Sequence, residues 1–140
     1  MMTRLRKFLR HCGGGSALEF AIITPILAGL VVYGFDAWEL INRKQDMHAA
    51  VNATANYYMG GGGDDPTAQS IGMSGWPNTP GDANISISRA CTCAGAPTSC
   101  STVCAATQQA PETRVTITAT DQWTGLHPAP LSELETVRVR

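Results

Sequence analysis

The sequence has little positive charge beyond its first ten residues, and it lacks the motifs of the common enzyme classes. Four of its ten Lys and Arg residues stand before residue 11; the formal net charge is −1, and without those four it is −5. The phosphate backbone of nucleic acids repels a negative chain, which argues against nucleic-acid binding. No G-x-S-x-G, H-E-x-x-H or P-loop motif occurs, and His11, His48 and His127 are dispersed. We therefore expect a non-enzymatic protein without cofactor or metal.

Charge is also missing from one long apolar run, apart from a single glutamate. The run extends over 19 residues, from Ala17 to Phe35, and Glu19 is its only charged residue. A helix of about this length crosses the hydrocarbon core of a bilayer. Basic residues precede the run and acidic residues follow it, and an excess of Lys and Arg marks the cytoplasmic side. The pattern predicts a single-pass membrane protein with a cytoplasmic N-terminus.

The chain has no small-residue cleavage site after the apolar run, where a secretory signal peptide would be cut. The small residues stand before the run instead, as the triple glycine Gly13–Gly15. Cleavage there would remove a basic leader, residues 1–14, and leave the membrane segment on the mature chain. The leader would also take away Cys12, the odd fifth cysteine.

The segment that follows resembles the TadE-like family of pilus assembly proteins. The resemblance rests on Gly15, Ser16, Ala17, Leu18, Glu19, Phe20 and Ala21, with Pro25 further along the run. These proteins are pseudopilins or minor pilins of the tight-adherence (Tad, Flp) secretion system. The resemblance implies cleavage by a prepilin peptidase at Gly14–Gly15, which makes Glu19 the fifth mature residue. Cleavage after Gly13 or Gly15 is the alternative.

The resemblance also implies a location and a set of partners. The chain would be held in the bacterial inner membrane, with its C-terminal part in the periplasm. Its partners would be the prepilin peptidase and other pilins or pseudopilins of the Tad pilus, a type IV pilus used in cell adhesion. It would act at the pilus tip or in priming assembly. The alternative is an uncleaved single-span anchor whose periplasmic part binds a partner.

The position of Glu19 suggests a physical role. A carboxylate beside hydrocarbon is costly and usually marks a functional pairing. If Gly15 becomes the N-terminus, its ammonium lies one helical turn before Glu19 and can also reach the glutamate of a neighbouring subunit. Either pairing offsets the cost of desolvation. The alternative is a carboxylate that is protonated, or that reaches the interface from an uncleaved anchor.

The helix is predicted to continue past the membrane segment. No proline occurs between Pro25 and Pro66, and apolar residues recur near helical spacing as far as Tyr58. Four consecutive glycines, Gly60–Gly63, should end it. This gives one helix over about 16–59, roughly 65 Å long. Proline has no amide hydrogen, so we expect a kink at Pro25.

The next segment, 60–82, is rich in Gly, Pro, Asp, Ser and Thr and is predicted to be a loop. Asp64 and Asp65 are interpreted as a solvated turn, because two acids without further oxygen ligands are weak evidence for calcium. Trp76 in this loop and Trp123 beyond it are predicted to cap a small core. Contact with neighbouring subunits is the alternative for both.

Four cysteines are predicted to form two disulfides in the C-terminal part. Cys91, Cys93, Cys100 and Cys104 lie in a domain of about 80 residues, small enough to need covalent support. Three pairings are possible in an oxidising periplasm. The nested pairing, Cys93–Cys100 with Cys91–Cys104, is favoured if the first two share a strand face and the last two a helical turn. Zinc is the alternative, although the spacing does not match paired C-x2-C motifs.

Three segments around the cysteines alternate apolar and polar residues and are predicted to form an antiparallel sheet: 84–89, 114–120 and 136–140. One face should pack on the distal part of the helix. That face carries Ile85, Ile87, Val115, Ile117, Val137 and Val139. The pattern is weakest between Trp123 and Pro130. The expected fold is α+β and pilin-like, with a transmembrane helix followed by a disulfide-stapled antiparallel β domain over 83–140.

Overall fold

The computed structural model describes residues 15–77 and 79–139. These residues form two helices and four strands: α1 Gly15–Met59, α2 Asp65–Ser74, β1 Asn84–Cys93, β2 Ala96–Thr98, β3 Glu112–Trp123 and β4 Ala129–Val139. The predicted α+β class and the predicted helix over about 16–59 are confirmed. The leader, with Gly13, Gly14 and Cys12, lies outside the described residues. The chain divides into two compact units, Met1–Trp38 and Glu39–Arg140.

The described part of the first unit is the apolar beginning of α1. Every side chain from Leu18 to Phe35 is exposed. Among the described helices, α1 alone is long and apolar enough to cross a membrane. A continuous apolar surface of this size is not stable against water, so it requires a covering of lipid or of other chains. Because α1 continues through Pro25, the proline does not end the helix. The kink stays a prediction.

The second unit contains a four-stranded antiparallel sheet in the order β2-β1-β3-β4. All three predicted strands are present, and each begins earlier or ends later than predicted. The predicted apolar positions face each other across the strands, since Ile87 lies opposite Ile117 and Val115 lies opposite Val137. A five-residue turn, 124–128, closes the hairpin between β3 and β4 where the sequence pattern is weakest.

The core lies between this sheet, α2 and the part of α1 that belongs to the second unit. Its most deeply buried large apolar side chains are those of Met47, Val51, Tyr58, Ile85, Val115 and Ile117, all at most 2% exposed. Trp76 and Trp123, 3% and 4% exposed, belong to the same cluster, which confirms that both tryptophans pack on the core. Ile87 and Val139 are half-buried at its margin. The predicted apolar face of the sheet is therefore the buried one.

A second helix, α2, lies within the segment predicted to be a loop. Asp64 caps its N-terminus, where the carboxylate accepts a hydrogen bond from the Thr67 amide at 2.9 Å. Pro66 stands in its first turn, where a missing amide hydrogen costs nothing. The Gly and Pro content favoured a loop, but an aspartate followed by an early proline is a helix-start signal. The predicted solvated turn at Asp64 and Asp65 is therefore wrong.

Gly72 allows α2 to approach α1 closely. A Cβ atom on Gly72 would lie 2.2 Å from the Thr54 hydroxyl oxygen and 2.6 Å from Cδ1 of Ile85. Thr54 is fully buried, and its hydroxyl donates to the Ala50 carbonyl at 3.0 Å, so it has little freedom to move. The glycine is needed here for space.

We expect Gly72→Ala to lower the free energy of unfolding by about 1 to 3 kcal/mol, because overpacking exceeds the gain of about 1 kcal/mol from alanine's helix propensity. Thermal unfolding of the full chain in detergent measures the effect. Gly63→Ala is the matched control, since no atom lies within 4 Å of its added Cβ. Equal stability of the two variants would contradict the close packing of α2.

Candidate functional site

The residues of the predicted processing motif lie at the start of α1. Gly15, Ser16 and Ala17 form the first turn, and the side chains of Leu18, Glu19 and Phe20 are exposed. Glu19 follows Gly15 by four residues in continuous helix, so one turn separates them. No described residue forms an ion pair with Glu19. The cleavage bond and any pairing with a new amine stay predictions.

The four cysteines of the second unit form two disulfides, but not in the predicted pairing. Cys91 bonds to Cys100 and Cys93 bonds to Cys104, with Cα–Cα distances of 5.1 Å and 5.5 Å. The connections are interlaced along the chain, whereas the prediction had them nested. Cys100 and Cys104 lie in an irregular loop rather than on a helical turn.

The hairpin formed by β1 and β2 explains the interlaced pairing. It places Cys91 opposite Thr98 and Cys93 opposite Ala96, beside the turn at Ala94 and Gly95. The returning chain therefore reaches Cys100 two residues past the partner of Cys91. Cys93 is left for the later cysteine. The prediction lacked β2, because a strand of three residues is too short to show an alternation of apolar and polar residues.

The disulfides hold an uncharged loop at one end of the sheet. Residues 92–111 contain no Asp, Glu, Lys or Arg. Within the loop, the Gln108 amide donates to the Cys104 carbonyl at 2.8 Å, and the Cys104 amide donates to the Gln109 carbonyl at 2.9 Å. Between this loop and the strand ends lies a cleft of about 390 Å³, whose lining includes Glu112 and Arg138. The site offers an uncharged surface beside the ion pair of Glu112 and Arg138, whose atoms lie 3.4 Å apart.

An ion pair between a half-buried arginine and a buried aspartate joins α1 to the sheet, and sequence reasoning missed it. Arg43 donates to Asp121 at 3.2 Å, and the guanidinium lies 5.2 Å from the centre of the Trp123 ring. The side chain of Asp121 is 0% exposed, and its second oxygen accepts from the Gln122 amide at 2.8 Å. The available signal was an aspartate at an inward position of an alternating strand, which requires a buried partner.

A second polar cluster connects the end of α1, the start of α2 and β1. Asp65 accepts hydrogen bonds from the Tyr58 hydroxyl and from Arg89, whose guanidinium also donates to the Gly63 carbonyl at 2.6 Å. Arg89 lies 5.5 Å from the centre of the Tyr58 ring. Hydrogen bonds from Arg89, and then from Tyr58, hold the pKa of Asp65 below its ordinary value, against the opposing effect of partial burial. The cluster fixes the glycine-rich connection between the helices.

The stabilising effect of Asp65 should depend on pH. A carboxylate whose pKa is lowered by folding stabilises the protein above its unfolded pKa, about 3.9, and that stability is lost as pH falls through the folded value. We expect Asp65→Asn to cost on the order of 1 kcal/mol at pH 7, since the pair is partly exposed, and progressively less below pH 4. Thermal unfolding at pH 7, 4 and 2.5 measures this. Asp82→Asn, at an exposed position, is the control, and its free energy of unfolding should vary with pH as that of wild type does. If the difference between Asp65→Asn and wild type stays constant with pH, the stabilising role of the Asp65 carboxylate is contradicted.

Within residues 15–77 and 79–139, no group of three or more His, Cys, Asp or Glu side chains is placed to hold a metal ion.

Comparison with known proteins does not identify the chain. The chain matches no protein-family model, and no curated protein or solved structure is significantly similar to it.

Proposed function

We propose that this chain is a minor pilin or pseudopilin that a prepilin peptidase cleaves and that acts at the tip, or in the priming, of a Tad-type pilus. Before assembly it is held in the bacterial inner membrane, with its N-terminus cytoplasmic and its disulfide-containing unit in the periplasm. Its partners are the peptidase and other pilins.

The observation that carries the proposal is the position of Glu19 in α1. Glu19 is the only charged residue of α1 before Asp36. It therefore lies in a surface of exposed apolar side chains that requires a covering. When the covering is a neighbouring helix, a carboxylate there requires a cationic partner, and the amine created by cleavage supplies one.

The N-terminal sequence of the membrane-purified protein tests the proposal, compared between hosts with and without the peptidase. We expect a start at Gly15 only when the peptidase is present. A start at Met1 or Met2 in both hosts would overturn the proposal and support the uncleaved anchor.

Assembly can be separated from cleavage by substituting the glutamate. We expect Glu19→Ala to be cleaved normally but to lose its association with other pilins, measured by crosslinking in membranes. Glu39→Ala removes an exposed carboxylate outside the apolar run and is the matched control. If Glu19→Ala is crosslinked as efficiently as Glu39→Ala, the pairing role of Glu19 is wrong.

A further inference from the structure

The longest open edge of the described sheet is strand β4. Strand β4 pairs only with β3 among the described residues, and it extends over 11 residues. The opposite edge consists of β2, which has only three residues and is bounded by the disulfide loop, and of the part of β1 before Cys91. In that part, the Gln69 side chain of α2 already donates to the Ile85 carbonyl at 2.7 Å. An open edge presents unpaired backbone N–H and C=O groups to any extended chain that approaches it. Among the described residues, β4 therefore offers the longest edge at which another strand can add.

Two carboxylates lie on the inward face of this edge. Glu133 and Glu135 lie between the buried residues Leu131 and Val137, on the same face of β4. Glu133 contacts Nδ1 of His48 at 3.2 Å, yet its side chain stays 37% exposed. No described residue forms an ion pair with Glu135. Inward charges discourage pairing with an uncharged strand, whereas residues of opposite charge directly across would stabilise pairing.

A second copy of this chain does not supply the opposite charge. In an antiparallel twofold pair that keeps both buried faces on one side, odd-numbered residues lie opposite odd-numbered residues, because side chains alternate. Arg138 is even-numbered and lies on the outer face, so it cannot stand opposite Glu133 or Glu135. The two glutamates would face apolar residues or each other. Charge complementarity thus favours a different chain.

We propose that β4 binds an extended segment of a partner protein by strand addition, and that this segment carries Lys or Arg at alternating positions facing Glu133 and Glu135. The backbone edge supplies the hydrogen bonds, and the two carboxylates select the basic strand. This inference does not depend on cleavage of the leader.

The test uses the full chain in an uncharged detergent and two fluorescein-labelled, end-capped octapeptides, one alternating Lys with Val and the other Glu with Val. Fluorescence anisotropy should show binding of the Lys peptide about tenfold tighter, as expected for two cross-strand ion pairs. The Glu133→Lys, Glu135→Lys double variant should reverse the preference. Hydrogen exchange should show new protection of β4 amides when the Lys peptide is bound to the wild-type chain.

The control is the Glu39→Lys, Asp82→Lys double variant, which has the same change in net charge at positions away from this edge. It should keep the preference for the Lys peptide. If the double Lys variant at the edge does not fold, Glu133→Gln with Glu135→Gln should simply abolish the preference. The proposal would be overturned if the wild-type chain bound both peptides equally, or if the control variant lost the preference for the Lys peptide to the same extent as the edge variant. It would also be overturned if the bound peptide protected amides outside β4 from exchange, or if self-association protected the β4 amides without peptide.

Discussion

Replacing Arg43 with methionine should lower the free energy of unfolding by about 3 kcal/mol, at the lower end of the range for breaking a buried ion pair. The substitution leaves Asp121 with no cation, although its side chain is 0% exposed. The Gln122 amide still donates to one oxygen, but a single neutral donor does not offset a buried charge. We expect the lower end because Arg43 itself is 28% exposed and lets water approach.

Denaturant unfolding of the full chain in detergent measures the effect. Arg138→Met removes an exposed ion pair, with Glu112, and should cost at most about 1 kcal/mol. Adding Asp121→Leu to Arg43→Met should recover much of the loss, because no buried charge is then left unpaired. Equal effects of Arg43→Met and Arg138→Met would show that Asp121 is not buried as described.

Removing both disulfides should cost on the order of 5 kcal/mol, which is enough to unfold a unit of this size. The loops have sequence separations of 9 and 11, and closing a loop of about ten residues contributes roughly 2.5 kcal/mol by restricting the unfolded chain. We therefore expect each paired substitution, such as Cys93→Ala with Cys104→Ala, to cost about half of the total. Denaturant unfolding of wild type with and without a reducing agent measures the total cost, and unfolding of each paired variant measures the cost of one disulfide.

Single substitutions test the interlaced pairing itself. Cys91→Ala should leave Cys100 as the free thiol, and Cys93→Ala should leave Cys104, as identified by alkylation of the unfolded protein without reduction followed by mass spectrometry. The nested pairing gives the opposite assignment. Wild type, in which Cys91, Cys93, Cys100 and Cys104 are all bonded, is the control for background labelling.

The parts of the fold that sequence predicts well are those with long, regular patterns. The helix ending near Met59 and the strand around Val115 and Ile117 each carry many residues that agree on one period. The short elements depend on one or two residues and were missed. Asp64 and Pro66 begin α2, but the surrounding glycines favoured a loop, and β2 has too few residues to show a period.

The polar contacts of the second unit were beyond prediction for a different reason. Arg43 and Asp121 are 78 positions apart, and nothing in either segment specifies the other as its partner. Arg89 and Asp65 likewise meet only after α2 has formed. The disulfide pairing also depends on tertiary structure, because the β2 hairpin decides which cysteines approach.

The uncharged cysteine loop affects the resistance of the chain to proteolysis. No Lys or Arg occurs between Arg89 and Arg114, so a trypsin-like protease has no bond to cut within residues 90–113. A protease of another specificity that cuts one exposed bond between Cys91 and Cys104 would release nothing, since the interlaced bridges keep the fragments joined. The loop is thereby protected twice, because it has no site for a trypsin-like protease and a single cut between its bridged cysteines leaves the chain joined.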